Sequence, residues 1–313
     1  MKHVIYYHNN FGRNDGPPLY YFNVLKSQLK VDVTHLFPEG NTSRFGKFDY
    51  HWWIDYGEDG LPVDQKWEIP KDRGKTIYVC SDAHINKEGF DYRVNKAKKF
   101  DYVIVNQLRF VDEFKKAGVK NPIFLPHAAE PSAYPHFEII KKYDVCFIGH
   151  IQDVKNYNGF SRIDALDRLF KEFPNFFFGT RNPIKPEVNL FEDASKKFCM
   201  SRVVFNISIK DDLNMRNQEI LSSGAFQLTN WIPTLDLLYK DRIHLVTYKT
   251  LDEMVEKARY YINHDEEREK IARAGHEQFL KANTYKHRVL EILKHVGVET
   301  KEKVGFEDWR IKT

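Results

Sequence analysis

The stretch VVFNISIKDDLNMRNQEILSSGAFQLT (203–229) gathers chemistry-bearing side chains more densely than any other part of the chain. An apolar run that reads as a strand ends near Asn206. A polar loop follows with Lys210, Asp211, Asp212, Asn214 and Arg216. A short helix then carries Glu219, and Gly224 stands where a helix would be capped at its C-terminus. Arg216 and Glu219, three apart at a helix start, share a face. A guanidinium there suits a diphosphate, because its own charge and the helix dipole both favour anions. A carboxylate one turn further in can accept two hydrogen bonds from a ribose diol. Together they have the chemistry for a nucleotide diphosphate sugar; the same residues also read as an Arg–Glu surface pair.

Other polar residues follow strand ends. The run Tyr78–Cys80 leads into Ser81-Asp82-Ala83-His84, where an acid and an imidazole two apart could serve as a base and its orienting partner, or as helix caps. Ile123–Leu125 leads to His127 and Glu130, inside a proline-bounded segment that also reads as a hinge. The loop after the first strand holds Gly12 and Gly16 but matches neither the dinucleotide nor the Walker phosphate-loop spacing, which argues against a standard dehydrogenase or an NTPase. The formal charge of 48 − 44 = +4 permits a phosphate-bearing ligand without requiring nucleic acid. Cys80, Cys146 and Cys199 form no C-x-x-C pair and sit in or beside apolar stretches, as buried thiols of a reducing compartment do. The first residues enter a strand pattern at once, and no apolar run approaches the ~18 residues of a membrane span. A cytoplasmic protein is expected.

These residues need elements to hold them. Short apolar runs at Val4–Tyr7, Val31–Leu36, Tyr50–Ile54, Thr76–Cys80, Tyr102–Asn106 and Ile123–Leu125 form one series. Asp144–Ile148, Asn175–Phe178, Val203–Ile207, Ala225–Thr229 and Ile243–Val246 form a second. Helical patterns lie between them, including Leu19–Leu29, Leu108–Ala117, Ile163–Phe173 and Asn217–Ser222. Such alternation predicts an α/β protein with parallel, doubly wound sheets. A chain of 313 residues is long enough for two domains of roughly 150 each, and the proline-bearing segment Pro126–Tyr143 is the expected join. Residues 250–296 read as three helices, with HDEEREK (264–270) as a solvated helix face. The tail, with Phe306 and Trp309, is expected to dock. Aromatic content is high, at 15%, and Tyr50-His51-Trp52-Trp53 offers a stacking surface, with at least one Trp in the core.

Residues 144–293 resemble the donor domain of GT-B glycosyltransferases, nearest the CgeB-like branch of the glycosyltransferase group 1 proteins. The resemblance rests on DVCFIGH (144–150), NMRNQEILSSGAFQLTN (214–230), HLVTYKTLDEMVEKARYYINHDEEREKIARAGHEQF (244–279) and NTYKHRVLEIL (283–293), with FDYVIVN (100–106) and LPHAAEPSAY (125–134) in the other half. It implies GT-B architecture, two Rossmann-like domains facing a cleft: an acceptor domain over 1–138, a donor domain over 139–285, and a crossing helix and tail over 286–313 packing on the N-terminal domain. It implies donor contacts from Gly149, His150, Lys155 or Arg162, Asp211, Asn214, Arg216 and Glu219. Glu219 matches the second acid of the family's E-x7-E motif, and the first falls on the shorter Asp211. Asp82 or His84 would face the anomeric carbon. The implied reaction moves a hexose from a nucleotide diphosphate sugar, a UDP-sugar above all, to a hydroxyl on a glycan, a protein or a modified DNA base. Anomeric configuration is retained, no metal takes part, and no cofactor is needed beyond the nucleotide-sugar donor. A GT-B nucleotide-sugar epimerase and a non-catalytic glycan- or nucleic-acid-binding module are the alternatives.

Overall fold

The computed structural model describes residues 1–6, 16–36, 47–55, 74–83, 87–151, 153–180 and 191–300. His84, Gly12 and the tail with Phe306 and Trp309 lie outside the described residues. The chain forms two compact units, dividing after Pro126 and again before Tyr285.

The N-terminal unit holds strands β1 (Lys2–Tyr6), β2 (Asp32–Leu36), β3 (Tyr50–Ile54), β4 (Lys75–Cys80), β5 (Tyr102–Val105) and β6 (Pro122–Phe124). They form one sheet in the order β2-β1-β3-β4-β5-β6, parallel throughout. Helices α1 (Pro17–Asn23), α2 (Lys87–Ala97) and α3 (Leu108–Lys116) accompany the sheet. α1 continues into a looser turn over Val24–Gln28, closed by a bond from the Leu29 amide to the Val24 carbonyl. All five residues of β3 are buried, because a central parallel strand is covered on both faces. The Tyr50–Trp53 cluster is therefore core and not a stacking surface: Trp52 and Trp53 are both buried. The Trp52 indole donates to Nδ1 of buried His3 at 3.0 Å, so burying the ring strands no polar atom.

The C-terminal unit holds β7 (Tyr143–Ile148), β8 (Phe176–Gly179), β9 (Ser201–Asn206), β10 (Gln227–Asn230) and β11 (Val246–Tyr248). The order is β11-β10-β9-β7-β8, again parallel. Helices α4 (Arg162–Glu172), α5 (Glu192–Cys199), α6 (Met215–Ser222), α7 (Leu251–Ile262) and α8 (Asp265–Ala282) belong with it. Its core joins Val145, Phe147, Val203 and Phe205 of the sheet to Leu166 and Leu169 of α4 and to Met254 and Ala258 of α7. Residues 127–134 join this unit and not the preceding one. Ala129 packs with Leu213 and Leu221, and Tyr134 with Cys146 and Phe198. The boundary thus falls earlier than the sequence expectation at 138. The final described helix, α9 (Tyr285–His295), packs in the N-terminal unit: Tyr285 meets the Tyr21 ring edge-on at 5.3 Å, and Arg288 Nε donates to the Pro126 carbonyl at 2.8 Å.

Two expectations are corrected here. The last strand begins at Val246, not Ile243, because Asp241–Leu245 closes into a turn bonded from the Arg242 amide to the Leu245 carbonyl at 2.7 Å. The HDEEREK segment is solvated except at Arg268, which is buried. Its guanidinium is drawn inward to the Tyr261 carbonyl at 2.9 Å and to Asp265 at 2.6 Å.

In both sheets the first strand of the unit has its second strand on one side and its third on the other. Loops leaving the two inner strands part in opposite directions there and open a crevice at their carboxyl ends. In the C-terminal unit that crevice lies beyond β7 and β9.

Candidate functional site

The β7–β9 crevice is where the sequence placed its densest chemistry. Ser161 caps α4 through a capping box with Asp164, which satisfies the helix N-terminus internally and leaves Arg162 to do something else. Arg162 is buried; its Nε donates to the Ile207 carbonyl just past β9 at 2.8 Å, and its Nη1 to the His150 carbonyl past β7 at 3.0 Å. One guanidinium thus ties together the two loops that leave the inner strands. Burial, and next the nearby positive charge of Arg216, pull its pKa down to about 10 against the pull of Asp212.

Arg216 sits in the first turn of α6, pairs with Glu219 at 2.6 Å, and lies over the Phe198 ring at 5.5 Å. It is not a surface pair: the Arg216 side chain is half-buried at 17% exposed and Glu219 is buried at 7%. Burial works against the Arg216 charge, but Glu219 together with Tyr134 and Cys146 more than offsets it and the net shift is upward. Asn214 occupies the N-cap position of α6 without capping it; its side-chain oxygen instead accepts from Asn217 at 3.4 Å. Asn217 accepts in turn from Gln227 at 2.5 Å. Gly224 ends α6 in the left-handed region (φ 72°). A Cβ there would come within 2.7 Å of the His136 ring, so glycine is required on both counts.

The loops are locked to each other. Asn156 and Lys210 form a parallel bridge, and the Tyr157 amide donates to the Lys210 carbonyl at 2.8 Å. The Asn230 side chain accepts from the Ser208 amide at 2.7 Å and donates to Asn158 at 3.2 Å. Within this frame four buried donor atoms, Asn156 Nδ2, Ser208 Oγ, Asn214 Nδ2 and Arg216 Nη1, have no hydrogen-bond partner among the described residues; Arg216 Nη1 touches Glu219 as an ion pair without hydrogen-bond geometry. Buried polar atoms are normally satisfied, so a cluster of unmatched donors beside two cations is suited to an anion rich in acceptor oxygens.

The structure separates the residues singled out from sequence. Arg162, Asn214 and Arg216 belong to the crevice loops and the first turns of their helices, as does the loop with Asp211, and Glu219 lies one turn further into α6. Lys155 does not offer a comparable cation: it is exposed and paired with Asp164 at 2.7 Å. Its reach is taken by the same carboxylate that completes the α4 capping box. Gly149 follows β7, but its amide donates to the Gly179 carbonyl at 3.0 Å, continuing the ladder with β8; that N–H is not offered to a phosphate. His150 contributes its carbonyl to Arg162. Asp82, in the N-terminal unit, takes a left-handed backbone (φ 55°) after β4. Nearby, Asp55 at the end of β3 accepts from Arg93 at 3.0 Å and Tyr78 at 2.9 Å. Sequence reading missed Asp55, Arg93, Asn156 and Ser208. A strand-end position was the available signal for Asp55 and Ser208; Arg93 and Asn156 carry no motif.

Among the described residues no group of His, Cys, Asp or Glu is arranged to hold a metal ion, and no helix is long and apolar enough to cross a membrane. Residues 164–294 match a protein-family model described as "Glycosyl transferase-like". No curated protein is detectably similar in sequence. Solved structures share the architecture. The Anabaena protein HepE, in complex with UDP and glucose, superposes with a TM-score of 0.62 at 12% identity, over 94% of this chain and 99% of that one. The beta-glucosyltransferase of phage T4 superposes at 0.58 with 14% identity, over 95% and 100%. The pneumococcal O-GlcNAc transferase GtfA, with UDP and GlcNAc, superposes at 0.52 with 13% identity, over 82% and 58%. Two parallel-sheet, Rossmann-like units with these neighbours make the fold that of the GT-B glycosyltransferases.

Proposed function

We propose that the chain is a GT-B glycosyltransferase of the CgeB-like kind that moves a hexose from a nucleotide diphosphate sugar, a UDP-sugar, to an acceptor hydroxyl. The observation that carries this reading is the β7–β9 crevice: a buried guanidinium held by carbonyls and a half-buried one within its field, among unmatched donors. Such a site suits a diphosphate. The comparisons support it, since HepE is described with UDP and with UDP-glucose.

In this reading Arg162 and Arg216, with the N-terminus of α6, offset the charge that develops on the departing diphosphate, so the reaction runs without a metal. Glu219 turns from Arg216 to the ribose hydroxyls as Arg216 engages phosphate. Asp211 faces the donor sugar. Asp82 or His84 orients or deprotonates the acceptor; the left-handed backbone of Asp82 fits a strained functional position. Configuration at the anomeric carbon is retained. The acceptor is a glycan, a protein or a modified DNA base, and neighbours of the same fold include both an O-GlcNAc transferase and a DNA modifying beta-glucosyltransferase. Three buried free thiols are consistent with the reducing cytoplasm.

A thermal-shift panel of UDP-, GDP-, ADP- and TDP-sugars tests the donor. A ligand at a hundred times its Kd stabilises by about 2.7 kcal/mol, so UDP-sugars should raise Tm by several degrees, and mass spectrometry of candidate acceptors should then show hexose addition. No shift with any nucleotide sugar would refute the reading, and an epimerised sugar formed without acceptor would replace it with epimerase chemistry.

A further inference from the structure

Ser208, like Asn156, is a residue of the crevice that neither motif nor resemblance singled out. It lies one residue past the Ile207 carbonyl that holds Arg162. Its side chain is 1% exposed, yet its hydroxyl has no hydrogen-bond partner among the described residues. A hydroxyl has one hydrogen to donate and two lone pairs, and can rotate to suit nearly any neighbour; leaving it empty in the interior is unfavourable, and replacing it with a methyl group would be neutral or stabilising. Its backbone is held as well. The Ser208 amide donates to Asn230, Asn230 donates to Asn158, and two positions on the chain is bridged to Asn156. A side chain fixed this firmly and left unsatisfied is arranged for something that arrives. The comparison with Ser222 is direct: also buried, its hydroxyl donates to the Tyr134 carbonyl at 3.0 Å, as a structural serine does.

We infer that Ser208 is a donor-binding residue, its hydroxyl donating to an oxygen of the diphosphate beside Arg162. This rests on the nucleotide-sugar reading above and extends it to a residue outside the Arg216–Glu219 helix. The loop geometry gives the hydroxyl a different task from Glu219: it reads the phosphate end of the ligand and not the nucleoside.

The test uses the full chain as wild type, Ser208→Ala and Ser222→Ala. Calorimetry with uridine, UMP, UDP and UDP-glucose is paired with melting curves of the ligand-free proteins. Ser208→Ala should keep or raise Tm while weakening UDP and UDP-glucose about tenfold, the loss of one hydrogen bond to a charged group, and should leave uridine unchanged. Ser222→Ala should do the reverse, lowering Tm without changing the affinity for UDP. If the wild type binds UDP and Ser208→Ala binds it equally well, or if Ser208→Ala melts lower than wild type, the assignment is overturned while the donor reading stands. If wild type binds neither UDP nor UDP-glucose, both fall together.

Discussion

Both units wind their strands in the same order around the first strand, and both leave a crevice beyond it, but the charges placed beside those crevices differ. In the N-terminal unit, Asp55 at the end of β3 is matched: Arg93 and Tyr78 donate to its carboxylate, and Ser81 donates to its carbonyl. Burial, with Asp55 next, pushes the neighbouring Cys80 thiol far up, so the thiol stays protonated and the Asp55 charge is already matched. In the C-terminal unit, Arg162 is buried on carbonyls beside Arg216, and donors are left over. One topology thus serves two electrostatic purposes. A cation matched by its carboxylate holds strands in place, whereas two neighbouring cations sharing one carboxylate among leftover donors suit an incoming anion.

Substitutions that separate these two roles put the contrast to the test. The largest effect is expected at Arg216. Arg216→Ala should cut transfer by about 10²–10³ and also lower stability by about 3 kcal/mol, because it leaves Glu219 buried and unpaired. Adding Glu219→Gln should recover much of the stability but none of the turnover; recovery of both in the double variant would make the pair structural. Arg93→Ala should lose a similar 3 kcal/mol in denaturant melts with unchanged UDP affinity, and weakened UDP binding there would erase the distinction between the crevices. The next effect is set by pH. Burial holds His3 down to about 4, below the 6.5 of the unfolded chain. The unfolded state therefore takes up the proton first as pH falls. Stability is full above about 6.5 and declines toward 4, with about 2 kcal/mol lost by pH 5. His3→Gln should flatten that decline in a pH series of melting curves. The smallest effect is expected from Glu219→Gln alone, a roughly tenfold loss of UDP affinity, ~1.4 kcal/mol, by calorimetry; unchanged affinity would remove Glu219 from the ribose.

Much of the architecture could be read from local pattern. Apolar runs such as Tyr50–Ile54 and Val203–Ile207 alternate with helical periods, and a strand buried on both faces announces itself by composition. Boundaries slipped where turns intervened, as at Asp241–Leu245. The 203–229 stretch pointed to Arg216 and Glu219 because three-residue spacing on a helix is a local fact. Lys155 and Arg162 could not be ranked in the same way: both are cations near a helix start, and only folding shows one tied to Asp164 in solvent and the other drawn under the crevice.

The amino-acid order alone determined the parallel α/β plan, the two sheets, and the helix that carries Arg216 and Glu219, since each follows from hydrophobic period and short-range spacing. Tertiary structure decided which charges are neutralised. Whether Gly149 has an amide to offer, whether Asp55 is matched, and whether the Ser208 hydroxyl is left empty all depend on partners 23 to 38 residues away, or on having none among the described residues. Burial and pairing across such separations are properties of the packed chain, and no local pattern encodes them.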